Sequence, residues 1–140
     1  MHALDYFAIQ NLIYRYADLL DRGSLDEAGA LFDHADFHLV GMDGPLSRAG
    51  ENRMTPVFRE WMSALPSIGG KPNTRHVTTN LIIAPDGPDR AKTRAHVIVF
   101  GSNDALPALP MLGGSYNDRF EKVAGAWRFA ERRLQPFGSP

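Results

Sequence analysis

Apolar residues recur at helical spacing through the opening of the chain and alternate with polar ones through most of its second half. In LDYFAIQNLIYRYADLLDRG, Ile9, Leu12, Ile13, Tyr16, Leu19 and Leu20 fall on one arc of a helix, with Tyr16 near its centre. Asp5 in the first turn suits the positive end of the helix dipole, and Gly23 supplies a stop. Ser24 and Glu27 have capping-box spacing, which predicts a second helix running to about Phe32. ADFHLV then reads as a short strand. Thr55 followed by Pro56 predicts a third helix, cap first and proline next, with Val57, Phe58, Trp61, Met62 and Leu65 as its apolar stripe. Pro66, Gly69 and Gly70 end it.

From residue 73 the period changes to two. NTRHVTTNLIIA, RAKTRAHVIVFGSN, GGSYNDRFEKV and AWRFAERRL read as strands, with PDGPD and VAGAW as turns. Helices first and mostly adjacent antiparallel strands afterwards predict an α+β architecture in a single domain over residues 1–140. NDALPALPMLGG reads as a loop, unusually apolar for a surface connection. Its Leu106, Leu109, Met111 and Leu112 are expected to cover either a pocket mouth or a subunit contact. In the first long strand, alternation places His76, Thr78, Asn80 and Ile82 on one face and Val77, Thr79, Leu81 and Ile83 on the other. The polar face meets either water or a cavity whose contents need polar handles.

Composition narrows the classes of function. With 44% hydrophobic and 22% charged residues the chain is an ordinary globular one. The formal net charge is -1 and no basic run occurs, so nucleic acid is not an expected partner. The absence of cysteine excludes disulfides, thiolate catalysis and thiolate metal sites, and fits a cytoplasmic location. No apolar run is long enough to span a bilayer, so no membrane partner is expected.

Glycine-rich phosphate loops, dinucleotide fingerprints and nucleophile elbows are missing, and no cofactor is expected. The histidines, at positions 2, 34, 38, 76 and 96, lack the helical spacing of a zinc enzyme, so no metal is expected either. Acid–base chemistry by His, Asp and Tyr remains. His76 is the first candidate because imidazole titrates near neutrality, although a lone histidine is more often structural. Asp21 is its candidate partner: a carboxylate on one ring nitrogen would fix the tautomer and leave the other nitrogen free. Tyr16 and Asp21 are five residues apart, so an ideal helix points them about 140° apart. Asp21 reaches the same cavity only if the helix loosens or ends there, which Gly23 permits but does not require. Tyr16 is either a core tyrosine or a hydroxyl directed at a substrate oxygen. His38, His96, Tyr116, Trp61, Leu109 and Arg132 are candidate substrate-binding residues. His96 reads more readily as a satisfied sheet histidine, Trp61 and Trp127 as core, and Arg132 or Arg133 as a partner of Asp118, Glu121 or Glu131.

The runs IYRYADLLDRGSLDEAGALF, TRHVTTN and GGSYNDRFEKVAGAWRFAERR resemble the SnoaL-like branch of the nuclear-transport-factor-2-like superfamily, which includes scytalone dehydratase, bile acid 7α-dehydratase, ketosteroid isomerase and dioxygenase small subunits. The resemblance covers nearly the whole chain and is weakest across residues 41–72. It implies a cystatin-like conical barrel, a strongly curved and mainly antiparallel sheet over three N-terminal helices, with a deep apolar pocket and a homodimeric or homotrimeric assembly. It also implies catalytic roles for Tyr16, Asp21 and His76, with Asp21 rather than Asp18 as the carboxylate. Where scytalone dehydratase has a second catalytic histidine, this chain has Gly101 or Ser102. A pocket tyrosine is replaced near Val40, with His38 the nearest polar residue. The expected function is a cofactor-independent, dehydratase-type lyase acting on a small cyclic or polycyclic hydroxy-ketone. A ketone isomerase, or a non-catalytic ligand-binding or accessory subunit, is the alternative.

Overall fold

A computed structural model describes residues 1–138. Its elements in chain order are α1 (Ala3–Asp21), α2 (Leu25–Ala30), β1 (Asp36–Leu39), α3 (Met54–Ser63), β2 (Ser67–Ile68), β3 (Lys71–Pro72), β4 (Thr74–Pro85), β5 (Arg90–Asn103), β6 (Leu106–Val123) and β7 (Ala126–Pro136). The main sheet has the order β1-β7-β6-β5-β4. Its long strands are antiparallel, and β1 joins the edge parallel to β7. The fold is α+β, a curved mixed sheet of five strands with the helices packed into its concave side.

The helical stripe of α1 is the floor of the core: Ile9, Ile13, Tyr16, Leu19 and Leu20 are all buried. Asp5 does more than face the helix dipole. Its carboxylate accepts the His2 backbone N–H at 2.8 Å, the Trp127 indole N–H at 2.8 Å and the Lys122 ammonium at 3.1 Å, tying the start of α1 to the β6–β7 hairpin. Those donors hold its carboxyl well below the usual range. Phe32, Phe37, Phe58, Phe120 and Phe129 fill the space between helices and sheet and are each essentially inaccessible. Gly29 in α2 is required by the crossing with α3, because an added Cβ would stand 2.0 Å from Thr55 Oγ1. The β6–β7 turn uses Ala124 and Gly125 with φ of 51° and 82°, the left-handed pair that a tight hairpin needs.

Four local expectations change. Ser24 precedes α2 without a side-chain cap, so the Ser24–Glu27 box does not form. The third helix begins at Met54 with Arg53 before it, which places Thr55 and Pro56 inside the first turn rather than at its start. The apolar segment expected as a loop is strand: β6 starts at Leu106 and pairs with β5 almost from the turn, with Leu109 opposite Gly101. Prolines 107 and 110 disguised it. Finally, a bulge between Thr79 and Ile82, with Asn80 at φ 56°, breaks the alternation of β4. Leu81 and Ile83 thereby join the side of His76 and pack on the core, while Val77 and Ile82 face outward. Among the described residues no helix is long and apolar enough to cross a membrane.

Candidate active site

Between α1, α3 and the concave faces of β4 to β7 lies a cavity of about 500 Å³. Leu20, Phe58, Trp61, Val99, Met111 and Leu134 are among the side chains that make it apolar. The polar side chains on its wall are Tyr16, His76 and Tyr116. The face of β4 that carries His76 is therefore a cavity wall, at least as far as His76.

Asp21 is the last residue of α1, and that position decides what it can reach. Five residues beyond Tyr16 an intact helix would point it elsewhere, but at the terminus, with Gly23 at φ 75° reversing the chain, it turns toward the first residues of β4. A carboxylate at a helix C-terminus opposes the macrodipole and needs compensating donors. It has three. The Thr74 hydroxyl donates at 2.8 Å, the His76 backbone N–H at 2.8 Å, and His76 Nδ1 lies 2.6 Å from the carboxylate. Burial pushes the Asp21 carboxyl up, but the bonds and charge from His76, with the Thr74 bond, outweigh it and hold the group below its ordinary value. The donors keep Asp21 anionic, and the anion requires a proton on His76 Nδ1. Nε2 is then left free, on a ring whose side chain is only 6% exposed and lines the cavity. The Tyr16 and His76 rings are 6.3 Å apart, edge to face.

Beneath the tyrosines is a second buried pair. Asp118 on β6 accepts Arg132 Nε at 2.9 Å and Nη2 at 2.8 Å, a two-pronged contact across neighbouring strands. Arg132 is fully inaccessible. Its Cζ lies 3.7 Å from the centre of the Tyr116 ring and 4.5 Å from that of Tyr16. Burial raises the Tyr16 hydroxyl above its ordinary pKa, opposed by the Arg132 charge, and raises Tyr116 further. Burial also raises the Asp118 carboxyl, with Arg132 pulling against it.

Several expected cavity residues lie elsewhere. His38 alternates away from Phe37 and Leu39 onto the outer face, where its Nε2 is 3.8 Å from Glu131. His96 is exposed on the same outer face, because Val97 and Val99 are the inward residues of β5. Leu109 is 44% exposed; Met111 and Leu112 from the same strand reach the cavity instead. Arg132 faces inward but sits behind the tyrosines, not on the wall, and Arg133 points out to Glu131. Trp61 and Tyr116 are on the wall. Asp36, His38 and Glu131 bring ligand-type atoms within 4.8 Å of one another, but Arg119 and Arg133 at 3.1 Å already neutralise Glu131, and the cluster is an ion-pair network. Thr74 joins the site without any chemical signal in the sequence, although alternation alone puts it on the face of His76.

Residues 1–133 match the SnoaL-like domain family. A search of curated proteins finds no match. Among solved structures, a protein of unknown function with a cystatin-like fold from Nostoc punctiforme superposes with a TM-score of 0.79 at 20% identity, covering 99% of this chain and 96% of that one. A proposed scytalone dehydratase from Novosphingobium aromaticivorans gives 0.73 at 23% identity, covering 95% and 84%. The beta subunit of a proposed aromatic-ring-hydroxylating dioxygenase from the same organism gives 0.73 at 18% identity, covering 98% and 92%. At these identities the structures establish the shared cystatin-like fold, and the family match extends over nearly the full length. This chain belongs to the SnoaL-like domain family.

Proposed function

We propose that the protein is a dehydratase-type lyase acting on a small cyclic or polycyclic hydroxy-ketone, with His76 as base, Asp21 as its orienting partner and Tyr16 as donor. The observation that carries this reading is the 2.6 Å contact between Asp21 and His76 Nδ1 at the edge of an apolar cavity. With Nδ1 engaged, Nε2 takes the proton α, or vinylogous, to the substrate carbonyl. The electron pair moves to the carbonyl oxygen, where the Tyr16 hydroxyl donates to the enolate. Collapse of the enolate expels the β-hydroxyl, which leaves as water with the proton returned by the imidazolium. Both proton transfers use residues of the cavity wall, so the proposal involves no cofactor. Lacking a lysine or arginine head group on that wall, the cavity suits a neutral ligand with one polar edge.

Returning the proton to a different carbon would make the same constellation an isomerase. The accessory-subunit alternative is supported by the likeness to a dioxygenase beta subunit and by the exposed Leu106, Leu109, Leu112 and Phe137, which also suit self-association as a homodimer or homotrimer. A panel of steroid-like and polyketide-like hydroxy-ketones, screened for loss of water by mass change, tests the lyase reading. Turnover that survives His76→Ala would overturn it, and tight binding of a panel member without mass change would favour the binding role.

A further inference from the structure

Arg132 is an expensive residue for its position. A guanidinium with no accessible surface loses its hydration, and pairing with Asp118 only offsets that cost; well-packed apolar residues of similar volume often serve stability as well or better. Nor can it hold a ligand, since Tyr16 and Tyr116 stand between it and the cavity. Asp118 occupies Nε and Nη2, and Nη1 has no partner among the described residues. What the guanidinium does touch is the pair of tyrosine rings, which are perpendicular with centres 5.9 Å apart. The cationic end of the ion pair thus abuts the two hydroxyl-bearing residues.

We propose that Arg132, anchored by Asp118, is a positioning residue that turns Tyr16 and Tyr116 into a polarised donor pair. This rests on the lyase reading for its use, though not for its test. A positive charge behind the rings draws their electrons back, leaves the hydroxyl protons better donors and stabilises negative charge on a substrate oxygen in a water-poor site. The charged or titratable groups facing Tyr16 are His76 from β4, Tyr116 and Asp118 from β6 and Arg132 from β7; its other ring neighbours, Phe32 and Phe58, are apolar. Burial raises both hydroxyls, and the Arg132 charge pulls against it at each.

The test replaces tyrosines with 3-fluorotyrosine, a more acidic phenol, and follows ionisation by fluorine NMR, with Tyr16→Phe and Tyr116→Phe assigning the two buried signals. Arg132→Met should move the position-16 midpoint up by roughly one to three pH units, the usual reach of an adjacent charge, and Arg132→Lys should restore part of it. Asp118→Asn keeps the shape, leaves the guanidinium uncompensated, and should move the same midpoint down. That second variant carries the test if Arg132→Met does not fold. Midpoints that stay put in Arg132→Met and Asp118→Asn, or move together in one direction, overturn the proposal. The titration needs no substrate, so failure of the lyase reading would leave it standing. On any substrate found, Arg132→Lys should lower kcat with little change in KM.

Discussion

Two aspartates, each bonded to a basic side chain from the sheet, show how burial sets the character of such a contact. Asp21 meets His76 at the rim of the cavity with three donors around it, and its carboxyl is held below the ordinary value. Asp118 meets Arg132 in the closed interior, where burial raises it despite two short bonds to a guanidinium. The rim pair keeps solvent contact and an open ring nitrogen. The interior pair is sealed and acts only on its neighbours. The pair with an open nitrogen borders the cavity, and the fixed charge is sealed away from it.

The sharpest way to break that contrast is to remove each partner. His76→Ala should cut turnover on a hydroxy-ketone about 10²–10⁴-fold, the usual worth of a positioned base, and cost about 1.5–3 kcal/mol of stability as Asp21 loses its shortest donor; initial rates and melting curves separate the two. Asp118→Ala should weigh more on the fold, costing about 3–5 kcal/mol of stability in urea denaturation because a buried guanidinium is left alone. Carbon-13 titration of the aspartate carboxyls sharpens the comparison directly: Asp21 should titrate below 3.8 and Asp118 above it. Because the folded value for Asp21 is lowered, its contribution to stability is complete above the ordinary carboxylate range and fades as pH falls through the lower value. Asp21→Asn should therefore lose less melting temperature than wild type on acidification below about pH 4. Thr74→Val removes one donor from the rim pair and should cost about 1.5–3 kcal/mol, while raising the Asp21 midpoint. His96→Ala, on the exposed outer face, should change stability by no more than about 0.5 kcal/mol.

Much of the architecture was legible because it rests on periodicity. The stripe of α1, the two turns and the four long strands follow from spacing and turn chemistry alone. The errors arise where one residue overrides the pattern. Asn80 in a left-handed conformation reverses the sides of Leu81 and Ile83, which strict alternation cannot foresee. Prolines in β6 hid a strand whose pairing with β5 is interrupted there by two register shifts. At the site, Asp21, His76 and Tyr16 stood out by chemical type and by resemblance, yet their meeting depends on where α1 stops, a tertiary fact. His38 and His96 suit a cavity by chemical type, but the parity of their strands sends them outward; Leu109, opposite Gly101, lies off the cavity wall on an exposed stretch of β6. Arg132 faces the right way, but only the packing of two tyrosines in front of it shows that it works at one remove.

The bulge at Asn80 has a consequence for how this scaffold can vary. A strand of unbroken parity would commit its whole length to one side; the extra residue lets β4 line the cavity at His76 and fill the hydrophobic interior with Leu81 and Ile83. Gaining or losing one residue at that point would rotate Ile82 and Ile83 while leaving His76 in register with Val99. The two halves can thus drift separately, the cavity wall reshaped without disturbing the packing beyond.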